Sequence, residues 1–389
     1  MKNITTTKKK VLIFISHYFP GYKIGGPLNS VLNIVNNLSD NFDFYIITSD
    51  RDLGDDTPYK NIVLNQWTNV RGSKVLYIRD GVKGFKDILI SINATNFDSI
   101  YLNSFFEFKF SIYIVFLRYF KLIKANKLIL APRGEFYKEA LGFKKQKKYF
   151  YLKLIKFFKI YKNICWHSTD ESETDEITKL FTSKAKIKKA SVLPDISNNL
   201  KKIKEPLFEF GEDVLKVIFL SRISKDKNII FIFDVLAKVK KDLELHIYGP
   251  IEDKDIWAEC LSRMKKLPSN IIVKYNGSVE KQNVKTILSK YDVFFLPTHR
   301  ENFGHVINES LSVGTPVLIS KNTPWLNLEK NNLGWDIDLT NENNFIQAIE
   351  SYSDQSEEFR KTKRNEIIKN YNKSINFSRI IDENISLFN

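Results

Sequence analysis

The stretch DVFFLPTHRENFGHVINESLSVGTPVLIS, residues 292–320, decides the fold. DVFFLP and TPVLIS are short, continuous apolar runs, the pattern of strands buried on both faces. Between them lies a helical segment. Gly304 stands where that helix would start and Gly314 where it would stop. Strand, helix and strand in succession make one crossover unit of a parallel sheet. Working outward, the same unit recurs. VLKVIFLS (214–221), LELHIYG (243–249) and IIVKY (271–275) precede it, with helical segments between. A first series runs through VLIFIS (11–16), FYIITS (44–49), 74–78, 98–102, 127–131 and 164–168. After VLIFIS comes the Gly/Pro loop GYKIGGP (21–27). A helix follows, with Val31, Leu32, Ile34, Val35 and Leu38 at helical spacing.

Two such series make an α/β chain of two Rossmann-like, doubly wound parallel-sheet domains. Such domains bind ligands at the C-terminal ends of their strands, here expected to face a central cleft. The expected units are an N-terminal domain over 1–195, a C-terminal domain over 196–365, and a helix over 366–389 crossing back to the first. Length agrees: 389 residues suit two or three domains. Hydrophobic residues at 43% and charged residues at 27% are a globular balance. The two cysteines, Cys165 and Cys260, exclude a disulfide framework and a multi-cysteine zinc site. Five histidines without HExxH argue against a zinc hydrolase. No run of 18 uncharged apolar residues occurs, so no transmembrane helix is expected. The N-terminal apolar run lacks a cleavage site, so a cytoplasmic location is expected.

The chemistry concentrates in 297–320. Glu301 and Glu309 are eight positions apart, which on one helix leaves them about 80° apart rather than overlaid. Glu301 therefore fits the loop before the helix and Glu309 the helix itself. The N–H groups from Phe303 to Val306 would then face outward and bind sugar hydroxyls or phosphate oxygens. Gly304 permits close backbone approach. His305 is placed to position this loop. His299, on the other side of Glu301, has no particular role. His17, just past the first strand, falls near the ligand side.

Here the chain resembles a known family. The element P-x-x-x-E-N-F-G-x-x-x-x-E-S-L-x-x-G-T-P-V is similar to that of retaining GT-B glycosyltransferases, family GT4 (glycosyl transferases group 1). SRISKDKN (221–228) matches the family's Arg-x4-Lys pair. IGGP (24–27), YGP (248–250), NGSV (276–279) and LPD (193–195) fall where the family has its other loops. The likeness covers essentially the whole chain, most specifically 216–320.

The resemblance implies roles. Arg222 and Lys227 hold the donor diphosphate. Glu301 and backbone groups of Asn302, Phe303, Gly304, His305 and Val306 meet the transferred sugar. Glu309 meets the ribose. Gly25 and Gly26 approach the diphosphate, Gly249 lies in another donor-side loop, and Asn276, Gly277 and Val279 receive the base. It implies retention of anomeric configuration, with no protein nucleophile, so Glu301 is not assigned as a general base. A departing nucleoside diphosphate gains negative charge, which a metal or fixed cations must offset. No Asp-x-Asp stands at a strand end. No metal and no other cofactor are expected, and the co-substrate is a UDP or GDP sugar. The first domain departs from the commoner pattern, reading APRGEF (131–136) where many relatives carry a histidine. His17, Arg133 and Glu135 are the expected acceptor-side groups, with Arg133 suited to a phosphate. Pro194-Asp195-Ile196 replaces the usual Pro-Asn-Gly.

Charge points to a partner for the first half. Residues 1–190 hold 32 Lys and Arg against 17 Asp and Glu, while the remainder is balanced, so the net +15 sits entirely there. A one-sided basic field implies an anionic partner. In KKQKKYFYLKLIKFFKIYK (144–162) basic and aromatic residues interleave over about five helical turns, as in helices at anionic bilayer surfaces. The combined expectation is a transferase at the inner face of the cell membrane. It would build a surface polysaccharide of O-antigen or capsule type on a saccharide or polyprenyl-diphosphate-linked acceptor. A nucleotide-sugar hydrolase, a phosphorylase, a basic nucleic-acid binder and a non-catalytic scaffold are the alternatives. No nucleic-acid-binding module is recognisable.

Overall fold

The computed structural model describes residues 7–124, 126–137, 141–142, 145–181, 185–194 and 214–389. The chain divides into two units, Met1–Ser197 with Phe377–Asn389, and Asn198–Asn376. The expected boundary at 195/196 and the Asp195-Ile196 part of its loop lie outside the described residues.

Among the described residues the first unit has eight strands. They are β1 (Lys9–Phe14), β2 (Phe42–Ser49), β3 (Thr68–Val70), β4 (Ser73–Ile78), β5 (Ser99–Leu102), β6 (Lys127–Leu130), β7 (Cys165–Ser168) and β8 (Lys186–Lys189). Their order is β3-β4-β2-β1-β5-β6-β7-β8, parallel throughout except for the β3–β4 pair. Alternation along β1 serves two cores. Leu12 and Phe14 enter one buried cluster, and Val11 and Ile13 enter the other. Each such side chain contributes about 1.5–3 kcal/mol when fully buried. α1 (Gly26–Leu38) covers one face, and the unit also holds α2 (Val82–Asn93), α3 (Tyr113–Tyr119), α4 (Lys145–Phe157) and α5 (Glu171–Phe181).

The second unit has six strands among the described residues, all parallel. They are β9 (Leu215–Leu220), β10 (Leu243–Tyr248), β11 (Ile271–Tyr275), β12 (Val293–Leu296), β13 (Val317–Ser320) and β14 (Gly334–Ile337). Their order is β11-β10-β9-β12-β13-β14. Its helices are α6 (Ile229–Leu236), α7 (Lys254–Met264), α8 (Lys281–Leu288), α9 (His305–Ser312), α10 (Glu342–Ser353) and α11 (Glu357–Ser374). The order fixes the ligand side. Strand order reverses between β1 and β5 in one sheet and between β9 and β12 in the other. At such a switch point the two following loops diverge and leave a crevice.

Three details differ from expectation. First, β3, β8 and β14 were not foreseen, and each is a sheet edge. KIKK (186–189) carries lysines in place of an apolar run, as edge strands do. Second, the 144–162 helix spans only Lys145–Phe157; Lys159 has φ +52°, which helix does not allow. Third, residues 366–374 do not return to the first unit. They end α11, whose Arg364, Ile367 and Tyr371 are buried in the second unit. The element packed on the first unit is α12 (Phe377–Phe388). Phe388 meets the rings of Phe42 and Tyr101 at 5.3 and 5.7 Å. Lys127 Nζ donates to the Leu387 carbonyl at 2.5 Å, a cation at a helix C-terminus.

Candidate active site

The switch point of the second sheet gathers the charged residues singled out in the sequence. The loop after β9 carries Arg222 and Lys227; the loop after β12 carries Glu301. Lys227 Nζ donates to Glu301 Oε2 at 2.6 Å, with both side chains largely shielded from solvent. The two loops are stitched together by backbone. His299 N donates to the Asp226 carbonyl at 2.8 Å, and Thr298 Oγ1 donates to the same oxygen at 2.9 Å. Asn228 Nδ2 reaches the Pro297 carbonyl at 3.0 Å. The pair is thus held by rigid loops on rigid strands.

Neighbouring loops extend the cluster. Ile223 N donates to the Pro250 carbonyl at 2.9 Å, and Gly249 N to the Gly277 carbonyl at 2.8 Å. These bonds bring Arg222, Gly249, Asn276 and Gly277 to one edge. Gly249 has φ +139°, and a Cβ there would lie 1.8 Å from the Ser221 carbonyl oxygen, so only glycine fits. Arg222 pairs with Glu252 towards solvent. Val279 packs against the core of the unit. Asn276 N donates to the Ile247 carbonyl at 2.9 Å, extending the edge.

The helix start is as the sequence required. Gly304 is the residue before α9 at φ +76°, and a Cβ there would meet Ile307 Cδ1 at 2.7 Å. Glu301 lies in the loop and Glu309 is buried on α9. Asn302 Oδ1 is buried with no hydrogen-bond partner among the described residues. Phe303 is fixed by Trp325, whose Nε1 donates to its carbonyl at 2.5 Å, and its ring meets that of His305 at 4.9 Å. Val306 packs on the core below. His299 is exposed, and only its backbone takes part.

One residue of this cluster went unread in the sequence. Lys281 Nζ lies 3.4 Å from Glu309 Oε1. It opens α8, directly after the loop of Asn276 and Gly277. A lysine at a helix N-terminus opposes the helix dipole. That local misfit was the available signal.

The first unit arranges its residues differently. Gly25 precedes α1 and Gly26 begins it. Asn103, at the other side of the switch point, donates to the Pro27 carbonyl at 3.3 Å and accepts from Arg133 Nε at 2.9 Å. Arg133 also donates to Tyr101 Oη at 2.7 Å. Tyr101 Oη lies 2.9 Å from His167 Nδ1, and His167 Nε2 lies 2.9 Å from the Ala190 carbonyl. Burial, then the Arg133 charge, pushes the His167 pKa down to about 3, so the ring is neutral. Burial pushes Tyr101 up to about 12. His17 Nδ1 is tied to the Arg51 carbonyl at 2.9 Å.

Glu135 does not take the acceptor-facing place expected of it. Its carboxylate accepts from Phe105 N at 2.5 Å, Ser104 Oγ at 2.9 Å and Phe106 N at 3.1 Å. Burial raises its pKa, with those hydrogen bonds opposing. It is a brace for the 104–106 turn. Among the described residues, no three His, Cys, Asp or Glu side chains are grouped to hold a metal ion, and no helix is long and apolar enough to cross a membrane.

Comparisons with known proteins agree with this fold. Residues 201–373 match the family model described as glycosyl transferases group 1. No curated protein sequence matches the chain. Among solved structures, Anabaena HepE in complex with UDP and glucose is similar at TM-score 0.69 and 15% identity, covering 97% of this chain and 98% of that one. Sucrose-phosphate synthase from Thermosynechococcus elongatus is similar at TM-score 0.69 and 14% identity, covering 98% of each. WaaG, a glycosyltransferase involved in lipopolysaccharide biosynthesis, is similar at TM-score 0.63 and 12% identity, covering 97% of this chain and 99% of that one. A parallel-sheet unit with a charged pair at its switch point, inside a region that matches this family, identifies residues 201–373 as a glycosyl transferases group 1 domain in a chain of GT-B fold.

Proposed function

We propose that this enzyme transfers a sugar from a nucleoside-diphosphate sugar, UDP or GDP linked, to a saccharide acceptor with retention of configuration and without a metal. The observation that carries the reading is the Lys227–Glu301 pair at the N-terminus of α9. The donor diphosphate competes with Glu301 for Lys227, and Arg222 adds a second cation. As the glycosidic bond breaks, charge builds on the leaving phosphate, and fixed cations there stabilise the transition state. Glu301, released from Lys227, meets hydroxyls of the sugar. Glu309 takes the ribose, and the Asn276–Val279 loop the base. HepE, similar in fold, was solved with UDP and glucose, and with UDP-glucose, which supports a nucleotide-sugar donor.

The acceptor belongs to the first unit, near Arg133 and the start of α1. The basic excess of residues 1–190 supports an acceptor carried on a polyprenyl diphosphate at the inner membrane face, in assembly of a surface polysaccharide. WaaG, the similar protein of lipopolysaccharide biosynthesis, supports the same setting. The test is transfer in EDTA with the product's anomeric configuration read by NMR. Retained configuration and undiminished rate are expected. An inverted product, or activity restored only by a divalent ion, would overturn the mechanism.

A further inference from the structure

The first unit exposes large aromatic side chains on two separate segments. Neither segment, 108–124 nor 145–163, contains an acidic residue. On α4, Phe150 is 67% exposed and Phe157 79%. They lie two turns apart and so share a helix face, with Lys153 between them. Just past α3, Phe120 is 62% exposed and Leu122 54%. The two segments are side by side. Tyr119 Oη donates to the Phe158 carbonyl at 3.3 Å, and Ile123 and Ile155 are buried in one core cluster. The segments are thus anchored from beneath while their aromatics point outward. Lys121, Lys124, Lys153, Lys156 and Lys159 are exposed around them. None of these makes an ion pair among the described residues.

We propose that this two-segment surface inserts its aromatic side chains into an anionic bilayer. The 119–122 segment is as much a part of it as the lysine-rich helix. The inference deepens the membrane part of the reading above and rests on it. The chemistry selects the occupant. Aromatic groups without hydrogen-bond demands favour the acyl boundary, and the surrounding ammonium groups favour lipid phosphates. A second copy of the chain suits the surface poorly. Its lysines would face like lysines across a two-fold axis, and lysine is depleted from protein interfaces. A bilayer supplies hydrocarbon and negative charge at once.

The experiment is co-sedimentation of the full chain with vesicles of phosphatidylcholine alone or with 30 mol% phosphatidylglycerol. Binding is expected only to the anionic vesicles. Phe120→Ser/Phe150→Ser/Phe157→Ser is expected to lower that binding at least tenfold at unchanged charge. Lys121→Gln/Lys153→Gln/Lys156→Gln/Lys159→Gln loses roughly fivefold per lysine. A Phe157→Trp variant is expected to show indole quenching by brominated acyl chains, which charge attraction alone would not give. All these side chains are exposed, so thermal midpoints stay within about 2 °C and confirm folding. Equal binding by the serine variant, no quenching, or no wild-type binding would overturn the proposal. So would a wild-type dimer in light scattering that the serine variant loses. Nucleotide binding measured on the same preparations keeps a failure here separate from a failure of the transfer reading.

Discussion

The two units use the same sheet edge in opposite ways. In the second unit the charged side chains at this edge pair with one another, Lys227 with Glu301 between the switch-point loops and Lys281 with Glu309 between α8 and α9. The loops themselves are held by backbone bonds, so a ligand can separate those pairs without dismantling the edge. In the first unit the corresponding charges are spent on the protein. Glu135 braces a turn, and Asp52 accepts from the N–H groups of Tyr22, Lys23 and Leu53. Arg133 is held by Asn103 and Tyr101, with buried His167 behind. A charge paired with another charge, on a frame held by backbone, is available to a ligand. One consumed by backbone is available only for structure.

This contrast is open to attack by substitution. Glu309→Ala should show the largest effect, lowering transfer about 10³-fold, or ~4 kcal/mol, while the chain melts as a folded protein. Wild-type turnover would place Glu309 among structural residues. Glu135→Ala should do the reverse. It strands buried N–H groups and destabilises the first unit by about 3 kcal/mol in denaturant unfolding, with nucleotide affinity unchanged. Altered affinity with normal stability would restore Glu135 to the ligand side.

The His167 network gives the first unit an acid limit. Its folded pKa, about 3, lies below the unfolded value, so the unfolded chain takes the proton first. Stability is therefore lost as pH falls below about 6.5 and stops falling near pH 3, reaching about 2 kcal/mol of loss at pH 5. His167→Gln should flatten the slope between pH 7 and 5, and hydrogen exchange should place the change in the first unit. An unchanged slope would contradict a buried neutral histidine. The smallest effect is expected for Lys281→Met. It should raise the donor KM about fivefold with kcat within twofold, about 1 kcal/mol, because the residue orients Glu309 without touching the reacting bond.

The same contrast governs what the sequence reveals. The second unit was legible because its candidate site residues sit in a spaced pattern beyond strand ends, from Arg222 to Glu309. The central strands of both sheets were legible because burial on two faces demands unbroken apolar runs. Edge strands β3, β8 and β14 lack that demand and carry no such run. Glu135 misled because a carboxylate in a Gly-containing loop reads the same whether it faces ligand or backbone. Only the turn at 104–106, brought close by the β5–β6 pairing, distinguishes the two. Lys281 was hidden for the opposite reason. Its partner is 28 residues away, and the local sign, a lysine opening a helix, does not name that partner.

The central claim is that the second unit binds a nucleoside diphosphate through Lys227 without a metal. Calorimetric titration of UDP and of GDP into the wild-type chain and Lys227→Ala, all in EDTA, tests it most directly. The account predicts one-to-one binding of one nucleotide, weakened about 100-fold, or ~2.7 kcal/mol, in the variant. Equal affinity in both proteins, or binding that appears only with magnesium, would contradict it.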